Sequence, residues 1–162
     1  MTVNVLLQDI KKVESEALIV GFFEDVRPLK GLAGELDWLL CGSLSGVILN
    51  TKLRGALGDV ALLTSRGKVP TQKIFLVGLG PKKKFSPAAV RSAARTAASS
   101  ALGAGVTKAA LEYFQPSDAY EDGGMSALSE GLSQGAGGRS FEVSLLAPDA
   151  AAYEKIARVL KQ

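Results

Sequence analysis

Two short apolar runs, "ALIVGFF" at 17–23 and "KIFLVGL" at 73–79, constrain this chain most. Leu18-Ile19-Val20 shows no polar alternation, which is the pattern of a strand buried on both faces. A sheet covered on both faces needs helices on each side. The rest of the chain supplies them. "VNVLL" (3–7) reads as a first short strand, and "DVALLTS" (59–65) is joined to "KIFLVGL" through the turn-rich "RGKVPTQ". Apolar residues at 32, 36, 39, 40, 44, 47 and 48 predict one helix from Leu32 to Asn50, thinned by Gly42 and Gly46.

From Ser86 a second helix presents Val90, Ala93, Ala94, Ala97, Ala98, Ala101 and Leu102 on one face, small residues that let it lie close on a sheet. Gly103 and Gly105 end it. "VTKAALEYF" (106–114) is a strand and "QPSDAYEDGG" (115–124) a loop. Met125, Leu128 and Leu132 predict a short helix followed by a flexible "SQGAGGRS". "FEVSLLA" (141–147) is the last strand, and a final helix opens at Pro148-Asp149 with Glu154 and Arg158 as an i,i+4 pair. The order β-β-α-β-β-α-β-α-β-α, without repeat or long linker, predicts one α/β domain over 1–162 with a mixed, mostly buried sheet.

Histidine is absent, which removes Ser-His-Asp, Cys-His and His-x-x-x-His chemistry. Any catalysis would rest on carboxylates, lysines or a cofactor, and no motif calls for a cofactor. The net charge of +3 comes from 19 basic against 16 acidic residues spread along the chain. That lacks the dense basic stripe of a nucleic-acid binder, so nucleic acid is not the expected partner. No apolar stretch reaches the length of a membrane span, so no membrane contact is expected. A lone Cys41 and a start without a secretory pattern fit a reducing cytoplasm.

"VGLGPKKKFSP" (77–87) has the outline of a phosphate loop. A Walker A loop or a G-x-G-x-x-G fingerprint would need a glycine at 83, which is Lys83, and Pro81 lacks an N–H. Ser86 as N-cap, Pro87 at the first helical position and a Phe85–Val90 staple explain the same residues as a strand-to-helix connector. The connector reading leads. Three cations beside a helix start keep an anion site as its rival.

Taken in order, the strand ending in V-G-F-F-E, the helix with Leu-Asp and a glycine-serine tail, "KIFLVGLG", the lysine tip and the alanine-rich "VRSAARTAA" resemble the N-terminal domain of the leucine (cytosol) aminopeptidase family. The similarity runs from about Val3 to the final helix. It implies a macro-domain-like, three-layer α/β/α sandwich. It also implies that the two metal ions and the catalytic lysine and arginine belong to a C-terminal domain that these residues do not include. That domain makes most of the hexamer contacts in the family, so this chain is expected to be a monomer or small oligomer. No catalytic or metal-binding residue carries over. The expected role is binding or assembly, with a catalytic aminopeptidase domain or a second copy as partner. The alternative is a nucleotide-metabolite module, ADP-ribose-like in ligand, or a hydrolase of such a ligand.

For that alternative the candidate ligand or anion residues are Glu16, Gly21, Gly78, Gly80, Lys82, Lys83 and Lys84. Glu16 stands where the resemblance to macro domains puts an adenine-reading aspartate, while Phe22, Phe23 and Glu24 replace asparagines and suit a diphosphate poorly. The macro-domain glycine loop is reduced to Lys30-Gly31-Leu32. Trp38 is expected in helix core or a partial contact, Cys41 as a buried thiol, and Glu24-Asp25 as a solvated strand exit. "YEDGGM" (120–125) offers too few regularly spaced oxygens for calcium.

Overall fold

The strand β2 (Ala17–Phe22) is buried along its whole length, the consequence of its unbroken apolar run. In the computed structural model, which describes residues 1–114 and 122–161, it lies inside a six-stranded sheet. The other strands are β1 (Thr2–Leu6), β3 (Val60–Thr64), β4 (Lys73–Gly78), β5 (Lys108–Glu112) and β6 (Glu142–Leu146). The helices are α1 (Gly31–Leu39), α2 (Ser43–Asn50), α3 (Pro87–Gly103), α4 (Asp122–Ala136) and α5 (Ala150–Leu160). The sheet runs β1-β6-β5-β2-β4-β3, all parallel except the β3–β4 hairpin.

Alternation along the strands divides the core in two. Leu18, Val20, Ile74 and Leu76 face α1 and α2, whereas Ile19, Phe75, Val77 and Leu145 face α3, α4 and α5. The result is the three-layer α/β/α sandwich expected from the element order.

The helix expected from Leu32 to Asn50 is instead two helices at 104°. Gly42 at φ 82° ends the first, and its N–H donates to Asp37 O (2.8 Å). The Asp37 carboxylate then accepts from the Ser45 N–H (2.9 Å) and the Ser45 hydroxyl, capping α2 from the side. Cys41, at φ 53° in this corner, is exposed, which corrects the expectation of a buried thiol. Trp38 stands 79% exposed, neither core nor a partial contact.

The short helix expected around Met125 runs on to Ala136, so Ser133 to Ala136 are helical where a flexible segment was expected. A Cβ on Gly131 would lie 2.2 Å from Arg91 O and one on Gly135 2.4 Å from Arg95 O. The two glycines therefore let α4 touch the backbone of α3. Of the expected 115–124 loop, residues 115–121 lie outside the described residues, and Asp122 already begins α4.

Candidate functional site

The chain leaves β2 toward β4 and β3 on one side and leaves β5 toward β6 on the other. The two connections therefore diverge at the β5/β2 boundary, and open α/β sheets form their ligand crevice at the carboxyl ends of strands beside such a switch. A cleft of about 900 Å³ lies there, bounded by Gly21, Phe23, Leu32, Glu112 and Pro148.

Glu112 ends β5 and carries the polar chemistry of the cleft. Its Oε2 accepts from the Gly21 N–H (2.9 Å) and its Oε1 from the Leu32 N–H (3.2 Å). Leu32 lies in the first turn of α1, where Lys30, the N-cap residue, makes no side-chain cap bond. Glu112 thus caps α1 from a neighbouring strand and ties that helix to β2. Burial raises its carboxyl to about 7, against the lowering effect of the two N–H donors. It still lines the cleft and keeps part of its surface open. Gly31 makes room for this contact: it sits at φ +62°, and a Cβ there would come within 2.9 Å of Glu112 Oε1.

The sequence-predicted residues divide. Gly21 and Lys82 line the cleft; Gly78, Gly80, Lys83 and Lys84 do not. Gly78 and Gly80 support a neighbouring loop instead. The Gly78 N–H donates to Asp59 O (2.9 Å) and the Gly80 N–H to Gly55 O (2.7 Å), so neither is free for a phosphate. A Cβ on Gly78 would lie 2.1 Å from Ala56 O. The N–H groups of Arg54, Gly55 and Ala56 converge on Asp59 Oδ2.

Lys82 to Lys84 form a single 3₁₀ turn with exposed side chains, and the Lys82 N–H donates to Asp25 Oδ1 (2.8 Å). Ser86 caps α3 through the Ala89 N–H (3.3 Å). Phe85 stacks edge-on to Phe23, with ring centroids 5.0 Å apart.

Glu16 lies at the other end of β2, about 16 Å from Gly21 at the usual strand rise. Its carboxylate accepts from the Thr107 N–H (2.7 Å) and the Lys108 N–H (3.1 Å), and these bonds hold it below the usual carboxylate range. It therefore lies apart from the cleft that Gly21 lines. Sequence reasoning missed Glu112. The available signal was one acid inside the apolar strand "KAALEYF". Among the described residues no group of three His, Cys, Asp or Glu side chains comes together to hold a metal.

Residues 19–136 match the family model described as the cytosol aminopeptidase family, N-terminal domain. The chain is 33% identical over 111 residues to a probable cytosol aminopeptidase of Geobacter sulfurreducens, covering 68% of this chain and 22% of that protein. It spans about a fifth of the length of the curated relatives it matches. Among solved structures, it superposes on a mutant tomato leucine aminopeptidase with a TM-score of 0.73 at 21% identity, covering 98% of this chain and 35% of that one. A macrodomain of Oceanobacillus iheyensis with ADP gives a TM-score of 0.76 at 12% identity, covering 97% and 88%. These likenesses establish the macrodomain-like fold.

Proposed function

The chain belongs to the cytosol aminopeptidase family, as its N-terminal domain, and from that premise we propose that residues 1–162 form one non-catalytic binding domain. It works in the cytoplasm, joined to or beside a metalloaminopeptidase domain, and holds a small ligand in the cleft at the β5/β2 boundary. The observation that carries this reading is the cleft itself. Its volume of about 900 Å³ falls in the range of small-molecule sites, and its floor is a positioned carboxylate at a strand switch point. Peptide hydrolysis by paired metals needs several convergent carboxylates. Here histidine is absent, and among the described residues the acids are dispersed over separate elements.

The nucleotide-metabolite reading is supported by the fold it shares with the ADP-bound macrodomain. Against it stand the backbone donors: the N–H groups of Gly21, Leu32, Gly78 and Gly80 already serve protein acceptors.

Two measurements test the proposal. Incubated with leucine amide and added manganese or zinc, the chain should give no turnover. Activity that tracks the protein through purification and is removed by a chelator would overturn the non-catalytic assignment. Amide spectra recorded against a panel of small polar metabolites, ADP-ribose included, should show saturable shifts at Gly21, Phe23 and Leu32 with at least one compound. A panel that leaves all three unmoved would overturn the binding role, and a response to ADP-ribose alone would favour the nucleotide reading.

A further inference from the structure

Glu112 is a partly buried acid that, among the described residues, is held by backbone groups and has no charged partner. Each of its oxygens accepts one backbone N–H, which leaves a further lone pair on each. Among the described residues no cation forms an ion pair with it. A carboxylate withdrawn from water gains most from a hydrogen-bonded positive group, and here the open direction is the cleft.

The mouth carries both signs, with the exposed acids Asp9 and Glu35 beside two lysines. Lys30 and Lys82 line the same cleft, both exposed and neither in an ion pair among the described residues. Between floor and mouth the walls are apolar, with Phe23, Val26, Leu29 and Leu32 among them. An anion alone fits the floor badly, because the two N–H groups that would receive it already hold Glu112.

We propose that the cleft takes a small apolar zwitterion, of the kind an aliphatic α-amino acid represents. Its ammonium group sits on the Glu112 carboxylate, its apolar part lies against the walls, and its carboxylate, borne on the same carbon as the ammonium, is met by the long side chains of Lys30 and Lys82 reaching in from the mouth. This rests on the binding-domain reading above and names the chemistry of that same cleft.

The test is a ligand series followed through the amide signals of the whole chain. L-leucine carries both charges, N-acetylleucine lacks the ammonium, and isopentylamine lacks the carboxylate. Leucine should give saturable shifts at Gly21 and Leu32, with N-acetylleucine at least about tenfold weaker and isopentylamine intermediate. Lys82→Ser should weaken leucine and leave isopentylamine unchanged. Glu112→Gln should weaken both ammonium ligands about tenfold or more. If that variant does not fold, the series on the unaltered chain decides alone.

N-acetylleucine binding as tightly as leucine would overturn the ammonium seat, and so would the absence of saturation by leucine below about 10 mM. If leucine fails while another compound of the panel shifts the cleft amides, only the ligand class falls. If no compound does, the binding role falls with it.

Discussion

Glu112 joins three elements through one side chain, since it ends β5 and accepts from an N–H on β2 and another on α1. Its raised pKa makes that junction sensitive to pH. In the folded chain the carboxyl titrates near 7 because burial opposes its charge, against an ordinary value of 4.5. Below 4.5 the group is protonated whether folded or not, and its stabilising contribution is fully present. As pH rises from 4.5 the unfolded chain ionises first, so stability is lost until the folded group titrates near 7. Glu112→Gln should lower the melting temperature at acid pH, because the new amide cannot accept from both N–H groups. The gap to the unaltered chain should narrow through that window. Asp9, Lys30, Glu35 and Lys82 share the cleft and are common to both proteins, so the difference isolates position 112. Parallel melting curves from pH 4 to 8 would show that Glu112 does not titrate in this way.

At the scale of elements, the contact between α3 and α4 rests on small residues from both sides. Gly131 and Gly135 meet Ala94 and Ala98, with backbone carbonyls of α3 directly beneath. Gly135→Leu should force the helices apart and cost about 1–3 kcal/mol or more. Ser133→Leu, on the exposed side of the same helix, should be near neutral. Equal thermal shifts for the two variants would contradict the close packing. The same glycines show why part of the fold was hidden in the sequence. Glycine disfavours a helix by intrinsic propensity, so "SQGAGGRS" read as flexible, whereas tertiary packing keeps Ser133 to Ala136 inside α4. The single helix expected from 32 to 50 failed for a different reason. Both α1 and α2 bury residues against one side of the sheet, so the apolar spacing continues across a corner that periodicity cannot register. The strands were legible because burial on both faces leaves an unbroken apolar run. The cleft was only half legible. Gly21 and Lys82 stand out locally, but Gly21, Leu32 and Glu112 meet only after the strand order is set.

For the whole molecule, the sheet has two open edges, β1 and β3. The bonds from the Gly78 N–H to Asp59 O and from the Ser65 N–H to Gln72 O bracket β3 and fix its alternation. Val60, Leu62 and Thr64 therefore turn their backbone groups outward. This five-residue strand carries no charge or proline to discourage pairing, and Leu62 is 52% exposed on it. Weak pairing of copies is compatible with such an edge, and nothing at this edge supports a closed ring. Light scattering should return the mass of one chain or a few, and a stable six-chain mass would contradict this. The opposite edge has a temporal meaning. Of the six strands β1 is made first, yet its neighbour among the described residues is β6, some 140 positions later. The nascent chain must keep Thr2–Leu6 unpaired while the other five strands are made, a loop closure that topology makes slow. Vectorial synthesis can assemble β2 to β5 early, but the seam between β1 and β6 closes only once β6 has been made.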